Sequence, residues 1–240
     1  MHRFFVRPDQ MRGERAHLEG GQARQIVQVL RLRRGDRILL FDGSGREYEA
    51  VIERSTPQGV EVFIVGRKGP LPPSPFFVTL AQGLPKVPKM DLIVQKATEL
   101  GVDRIIPLLC ERSVPKEGKL ERWQRIAVEA AEQCGRVTVP EIQEVQDLRG
   151  YLEVYAGRDQ ALVLWEGERL QGLKAFLRSI PSARSLTILV GPEGGLSQEE
   201  AALAKGRGFV AVSLGRRILR SETAALVALA LIQYEWGDLG

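Results

Sequence analysis

Two glycine-containing segments near the end of the chain hold the residue types best suited to bind a ligand. The first reads Leu-Val-Gly-Pro-Glu-Gly-Gly-Leu-Ser at 189–197, and the second reads Leu-Gly-Arg-Arg-Ile-Leu-Arg-Ser-Glu-Thr-Ala at 214–224. Each follows a β-branched run and leads into a helical pattern. We therefore expect two neighbouring turns at the carboxyl ends of parallel strands, where open α/β sheets bind ligands. The alternative is two ordinary strand-to-helix turns without a ligand.

The first segment favours a neutral or cationic ligand. Its three glycines should let a ligand approach the backbone without interference from Cβ atoms. Ser197 and Glu200 have the spacing of a capping box, which specifies a helix start. Glu193 before that start, and acidic residues within it, disfavour a polyphosphate. The pattern is neither GxGxxG nor a P-loop, so a dinucleotide site and a nucleotide triphosphatase are both poorly supported.

The second segment places Arg216, Arg217 and Arg220 in a loop before a run that is apolar on nearly every side. Such a run predicts a helix that is buried all round, either as a core element or as a subunit interface. The core interpretation is favoured for the helix itself. Three arginines and Glu222 beside a buried element indicate a functional loop.

Composition limits the classes of function. The 240 residues are 44% hydrophobic and 27% charged, which is typical of a soluble globular protein. No apolar run is long enough to span a membrane, and the first six residues lack the features of a signal peptide. Cys110 and Cys134 lack CxxC spacing, and the histidines are His2 and His17 alone. We therefore expect a reduced, cytoplasmic protein with no membrane partner, disulfide framework or metal site.

The net charge of +4 is concentrated in the first third of the chain. Residues 1–70 hold 13 Lys and Arg against 9 Asp and Glu, whereas the remainder is balanced. Most of the surplus is arginine before residue 38, and the guanidinium group suits phosphate recognition. On charge alone, a solvated basic face is the favoured interpretation.

Four prolines at 68–75 predict a stiff linker between a domain at 1–70 and a domain at 71–240. Before it, strands are predicted at 3–6, 37–41, 47–53 and 60–65, with a helix at 23–32. After it, strands are predicted at 76–81, 104–109, 161–165, 186–190 and 209–212. Helices are predicted at 89–100, 120–134, 170–177, 197–205 and 222–236. The first domain is β-rich, and the second predicts a parallel α/β sheet covered by helices.

The pairing of 189–197 with 214–224 resembles the RsmE family of 16S ribosomal RNA uracil-N3 methyltransferases, in the SPOUT superfamily. Further segments of the family type are Gln-Lys-Ala-Thr-Glu-Leu-Gly-Val at 95–102, Glu-Arg-Ser at 111–113, 123–136, 3–6 and 29–36. The resemblance covers essentially the whole chain. One departure is that the family usually has a histidine early in the helix before Val-Leu-Arg, where this chain has Ala23 to Ile26. An RNA contact of that histidine cannot be transferred.

The resemblance implies a PUA-like β-barrel followed by an α/β domain with a deep trefoil knot, which general topology rules would not predict. It implies S-adenosylmethionine bound in a bent form inside the knot, and a homodimer. The implied reaction is methylation of N3 of uridine 1498 in 16S rRNA of the small ribosomal subunit.

Site residues are assigned within this resemblance. For the cofactor they are Leu164, Trp165, Glu166, Gly191, Pro192, Glu193, Gly194, Gly195, Leu196, Leu214, Gly215, Ile218, Leu219, Thr223 and Ala224. For RNA they are Arg3, Arg7, Arg31, Arg33, Lys89, Arg112 and Arg136, each of which is by itself more often a solvated surface charge.

Catalysis must remove or loosen the proton on uridine N3. The second domain has no histidine, so carboxylates and arginines are the candidates. We expect Arg220 to stabilise charge on the uracil carbonyls and Glu222 to orient or accept the proton. The alternative for Glu222 is a carboxylate at a helix N-terminus, with Ser221 as the N-cap.

Three other functions stay open at the level of sequence. A ribose 2′-O-methyltransferase of the same superfamily would share the knot and the cofactor. A transferase that uses 191–195 to bind phosphate is disfavoured by the acidic residues there. An RNA-binding assembly factor would not need the two glycine segments.

Overall fold

The computed structural model describes residues 1–70, 76–86, 88–113, 119–155, 160–180 and 183–239, so most of the predicted linker lies outside the described residues. The chain divides into two compact units. The first comprises Met1–Pro73 with Ala131–Val139, and the second comprises Ser74–Ala130 with Pro140–Gly240.

The first unit contains a six-stranded sheet in the order β1-β4-β5-β6-β3-β2. Its strands are β1 (Arg3–Phe5), β2 (Met11–Arg12), β3 (Arg15–Glu19), β4 (Arg37–Phe41), β5 (Glu47–Thr56) and β6 (Gly59–Lys68). The pair β1 and β4 is parallel, and the other pairs are antiparallel. Alternate residues of β5 and β6 face the core, which includes Ile52 and Val62. Both strands were predicted, at 47–53 and 60–65, whereas the short strands β2 and β3 were missed.

The helix predicted at 23–32 is wrong in its bounds and partly in its type. Helix α1 (Gly20–Arg24) begins earlier and continues directly into a π-helical turn at Gln25–Val29. The turn is closed by the Leu30 N–H, which donates to the Gln25 carbonyl at 2.9 Å. Ile26 lies within this π-helical turn and is buried in the core of the first unit. The change from α-helical to π-helical geometry therefore coincides with tertiary packing of this side chain.

The second unit contains a parallel sheet in the order β10-β8-β7-β12-β11-β13, with β9 beside β8. Its strands are β7 (Phe77–Gly83), β8 (Arg104–Leu109), β9 (Glu141–Ile142), β10 (Gln146–Asp147), β11 (Gln160–Leu164), β12 (Ser185–Val190) and β13 (Val210–Val212). The central strands β7 and β12 are buried along nearly their whole length, as expected when both faces of a sheet are covered. The predicted mixed α/β class is confirmed.

The helices of this unit differ from prediction mainly at their ends. They are α2 (Lys89–Glu99), α3 (Leu120–Cys134), α4 (Leu148–Val154), α5 (Leu173–Ser179), α6 (Gln198–Gly206) and α7 (Ser221–Trp236). Helix α4 was not predicted. Helix α5 begins three residues later than expected, with Gly172 as its N-cap.

Helix α7 is not buried all round within one chain, so the favoured core interpretation is wrong for one of its faces, whereas the subunit-interface alternative stays a prediction. Val227, Leu231 and Tyr234 are 36%, 46% and 68% exposed, whereas Ala228 and Ile232 are buried. The physical reason is that an apolar run does not determine which of its faces its neighbours cover. Helix α7 packs on α2 and β12, and these neighbours leave one face to solvent.

A candidate cofactor and catalytic site

The two glycine segments and the residues after β11 enclose one cavity of about 620 Å³. Strand β11 lies between β12 and β13, and the three strands are parallel. The segments that follow these strands therefore all begin at the carboxyl ends of the strands, on the same side of the sheet. Thirteen of the fifteen residues assigned to the cofactor line this cavity. They are Leu164, Trp165, Glu166, Gly191, Pro192, Glu193, Gly195, Leu196, Leu214, Gly215, Ile218, Leu219 and Ala224. Gly194 and Thr223 do not line it.

Sequence reasoning missed eight further lining residues. They are Glu168, Arg169, Gly172, Val190, Ser213, Arg216, Arg217 and Ser221. Two of them, Arg216 and Arg217, lie in the loop already noted for its charge. Residues 170–172 were predicted to begin a helix, and no sequence signal placed residues 168–172 at the site.

Packing within the protein explains two of the glycines in the first segment. A Cβ atom on Gly191 would lie 2.9 Å from the backbone nitrogen of Leu196. A Cβ atom on Gly194 would lie 3.1 Å from Cβ of Arg112. Internal packing therefore requires a small residue at Gly191 and Gly194, and the approach of a ligand to these glycines stays a prediction. Gly195 has a φ of 69°, which ordinary residues rarely adopt.

The predicted capping box at the start of α6 is confirmed. The Ser197 hydroxyl accepts the Glu200 N–H at 3.3 Å, and Glu200 Oε2 accepts the Ser197 N–H at 2.9 Å. Glu200 is buried, and its Oε1 accepts the N–H of Glu111 at 2.8 Å. Next to Glu111, Arg112 Nη1 donates to the carbonyl of Gly194 at 2.7 Å. The loop after β8 is therefore tied to the first glycine segment at two points.

Ser221 is not the N-cap of α7, so that part of the alternative interpretation is wrong. The N-cap is Arg220, which makes no side-chain capping bond. The Ser221 hydroxyl instead donates to the carbonyl of Gly191 at 2.6 Å and accepts from Gln82 Nε2 at 3.0 Å. Gln82 is fully buried at the end of β7. One buried network thus joins β7 to both glycine segments.

The carboxylate of Glu222 lies beside the cavity in an ion pair. Lys89 Nζ is 3.1 Å from Glu222 Oε2 and 3.4 Å from Glu193 Oε1. The Glu222 side chain is 12% exposed, and no donor among the described residues is aligned to hydrogen-bond its buried Oε2. The two carboxylates raise the pKa of Lys89 above its ordinary value, Glu222 being the larger cause. Lys89 is therefore a cation at neutral pH.

Glu193 is ionised for several reasons. Burial raises its pKa, but the N–H groups of Glu193 itself and of Lys86, together with the Lys89 ammonium, lower it more. The Lys86 N–H reaches both carboxylate oxygens, at 3.0 and 3.1 Å. The net result is a pKa below the ordinary value for a glutamate, so a negative charge lines the cavity at neutral pH.

Comparison with known proteins identifies the family. The model of an RNA methyltransferase domain matches residues 72–233, and that of an RNA methyltransferase PUA domain matches residues 18–65. The chain is 35% identical to ribosomal RNA small subunit methyltransferase E of Bacillus subtilis, over 98% of the chain and 97% of that protein. It is 38% identical to the Synechocystis protein of the same name, over 96% and 77%. The chain belongs to the RsmE family.

Solved structures agree with this RsmE assignment. A Neisseria gonorrhoeae ribosomal RNA small subunit methyltransferase E bound to S-adenosylmethionine superposes with a TM-score of 0.89. It shares 35% identity and covers 100% of both chains. A Legionella pneumophila protein in complex with the same cofactor has a TM-score of 0.89 at 33% identity, covering 99% of this chain and 98% of that one.

Five of the seven residues assigned to RNA binding in this RsmE chain lie in the first unit, in two groups. Arg3 is largely buried, with Nη1 2.7 Å from Glu47 Oε1, and it donates to the carbonyl of Arg136 at 3.3 Å. Arg136 also donates to Thr138 Oγ1 at 3.2 Å. An RNA contact by Arg3 stays a prediction, and it would require this ion pair to open.

Arg7, Arg31 and Arg33 form the second group, and all three are exposed. Arg7 lies 3.2 Å from Asp9 in a surface ion pair, which is worth little in water. Arg31 has a φ of 55°, in the left-handed region, directly after the π-helical turn. These three side chains are accessible to a phosphate.

Two absences hold for the part of the chain that the structure describes. None of its helices has the length and apolarity needed to cross a membrane. Its His, Cys, Asp and Glu side chains form no group of three or more that could hold a metal ion. Cys110 and Cys134 are both free thiols.

Proposed function

We propose that this protein transfers the methyl group of S-adenosylmethionine to N3 of uridine 1498 in 16S rRNA of the small ribosomal subunit. The observation that carries the proposal is the cavity itself. Both glycine segments and the segment after β11 contribute to it, although they are separate in sequence. Membership of the RsmE family supplies the reaction and the substrate.

The cavity suits this cofactor chemically. When bound, S-adenosylmethionine supplies an electrophilic methyl group on a positively charged sulfur. Glu166 and Glu193 line the cavity with carboxylates, and a φ of 69° at Gly195 turns the backbone beside them. Apolar side chains such as Leu196, Leu214 and Leu219 offer surface for a nucleobase. We assign the thirteen lining residues named above to cofactor binding.

Glu222 is the group we assign to the uridine proton. The uridine N3 proton would pass to the Glu222 carboxylate, and bound S-adenosylmethionine would supply the methyl group that bonds to N3 and would leave as S-adenosylhomocysteine. Oε2 of Glu222 is buried and faces the Lys89 ammonium at 3.1 Å, so we assign the proton to the other oxygen of this carboxylate. Arg220, two residues before Glu222, is exposed. We assign it to stabilising the negative charge that develops on the uracil carbonyls.

Arg7, Arg31 and Arg33 are proposed to contact RNA phosphates, because their guanidinium groups are exposed. The finer fold belongs to the same proposal. Residues 1–70 form a PUA-like β-barrel that binds RNA, and residues 71–240 form a domain whose chain threads a deep trefoil knot. A cytoplasmic location follows from an rRNA substrate.

A homodimer is also part of the proposal. Its support is the exposed apolar face of α7, with Val227, Leu231 and Tyr234, and exposed Leu92 on the neighbouring α2. Apolar side chains grouped on adjacent helices are typical of a surface that a second copy covers.

The deciding experiment combines binding and product analysis in one preparation. Calorimetry measures binding of S-adenosylmethionine, and radiolabelled methyl transfer to small ribosomal subunits is followed by nucleoside analysis. N3-methyluridine in 16S rRNA is the expected product.

Two outcomes would contradict the proposal. A 2′-O-methylated nucleoside, or methylation at another position, would keep the cofactor and reject the target atom. Failure to bind S-adenosylmethionine would reject the enzyme and leave an RNA-binding protein.

A further inference from the structure

Lys89 occupies a position that a lysine should avoid. It is the first residue of α2, where the helix dipole creates a partial positive charge. A cation there destabilises the helix, whereas acidic side chains are favoured. When a local rule is broken in this way, a compensating interaction or a function is the expected cause.

The compensating interaction lies in the site. The ammonium of Lys89 is 3.1 Å from Glu222 and 3.4 Å from Glu193. Lys89 follows β7, Glu193 follows β12, and Glu222 is in the first turn of α7. One side chain therefore cross-links three segments, and those of Glu193 and Glu222 both contribute residues to the cavity lining.

The two carboxylates are not equivalent in this cross-link. Glu193 is anchored independently, since the Lys86 N–H reaches both of its oxygens. Glu222 Oε2 has no aligned hydrogen-bond donor among the described residues, so the Lys89 charge is the contact that holds it. Without that charge, two anions close to the same point would repel each other.

We propose that Lys89 is a positioning residue for methyl transfer, which holds the Glu222 carboxylate charged and in one orientation by tying it to the anchored Glu193. This inference rests on the proposed function, because it assigns Lys89 a task in the proton transfer to Glu222. It replaces the sequence-based assignment of Lys89 to RNA phosphate. Lys89 acts through Glu222 and does not itself touch the reacting atoms.

The test compares Lys89→Met with Lys89→Arg and with Lys174→Met, which removes the same charge from an exposed position on α5. Steady-state kcat and KM for small ribosomal subunits are measured over a range of salt, and calorimetry gives the Kd for S-adenosylmethionine. We expect Lys89→Met to lower kcat by about tenfold or more, with KM and its salt dependence unchanged. Lys89→Arg should recover part of kcat, and Lys174→Met should behave as wild type.

A second comparison uses Glu222→Gln as the background. If Lys89 acts through Glu222, then Lys89→Met should lower kcat by no more than about twofold in that background, because the two effects are not independent. If the loss of kcat in the double variant equalled the product of the losses in the two single variants, the proposal would be overturned.

Other outcomes would also overturn it. If Lys89→Met raised KM and left kcat normal, and if the dependence of KM on salt fell by the amount expected for about one phosphate contact, Lys89 would be an RNA ligand. Unchanged kinetics in Lys89→Met would make it an ordinary surface lysine. Circular dichroism confirms folding of each variant, and Lys89→Gln replaces Lys89→Met if the latter unfolds. A wild-type protein that forms no N3-methyluridine would reject the proposed function before any variant is compared.

Discussion

Ser221 joins the two glycine segments through a buried hydroxyl. It donates to the Gly191 carbonyl and accepts from the side-chain amide of Gln82, which is 139 residues away along the chain. A buried carbonyl or amide that loses its partner costs more free energy than the bond itself contributes in water. The network therefore contributes to the conformation of the first glycine segment as well as to stability.

Ser221→Ala should lower the free energy of unfolding by about 0.5–1.5 kcal/mol, because it removes the shorter of two hydrogen bonds to the Gly191 carbonyl and one of three made by the Gln82 amide nitrogen. It should also weaken binding of S-adenosylmethionine. Urea denaturation and calorimetry measure the two effects. The matched control is Ser179→Ala, whose hydroxyl is at the exposed end of α5. Equal stability of the two variants would contradict a role for the network.

Cys110 provides a prediction about pH. Burial raises the pKa of its thiol to about 12, and the charge of Glu200 adds to the shift. An unfolded thiol loses its proton near pH 9, so the unfolded chain is deprotonated first as the pH rises. The stability due to the neutral thiol is complete below about pH 9 and declines towards about pH 12.

Urea denaturation at pH 8, 9 and 10 should therefore show a steeper loss of stability for the wild type than for Cys110→Ala. The difference should approach, at most, about 1.4 kcal/mol per pH unit. Cys134 is exposed, so Cys134→Ala should keep the wild-type slope. Parallel slopes for wild type and Cys110→Ala would exclude the buried thiol as the source.

At the scale of elements, Glu200 connects helix α6 to the loop after β8. Its two carboxylate oxygens accept N–H groups from Ser197 and Glu111, and the side chain is buried. The capping-box bond between Glu200 and Ser197 was predicted from the spacing of these two residues. The bond to Glu111 was not, since 89 residues separate the two partners.

Glu200→Ala should destabilise the protein by about 2–4 kcal/mol, because two buried N–H groups lose a charged acceptor. Glu199→Ala, the neighbouring substitution, removes only a surface ion pair with Arg149 at 3.2 Å and should cost less than about 1 kcal/mol. Denaturant unfolding measures both. A similar loss in the two variants would show that Glu200 acts only as part of a generally acidic helix start.

At the scale of the whole molecule, the exposed face of α7 predicts self-association. Leu231→Asp with Tyr234→Ser should convert a dimer to monomers in sedimentation experiments, because charged and small polar residues are unfavourable at an apolar interface. Val154→Asp, at a 78% exposed position on α4, is the control and should leave the sedimentation unchanged. A wild-type protein that sediments as a monomer would reject the homodimer.

The RsmE resemblance named thirteen of the residues that line the cavity and missed eight others. The sequence by itself also determined the class of the second unit and most of its strands and helices. These features follow from local patterns. Apolar runs and helical spacing define elements, the Ser197–Glu200 spacing defines a cap, and segments after parallel strands meet at one edge of a sheet. The motifs also carried the RsmE resemblance, and the family matches confirmed it.

The tertiary structure alone decided the contacts between segments that are distant in sequence. It placed Lys89 between Glu193 and Glu222, and it made Ser221 a partner of Gln82 and not a cap. It also showed that Gly191 and Gly194 are needed for packing and that one face of α7 is exposed. No local pattern contains this information, because each contact depends on which strands are neighbours and on which helix face they cover.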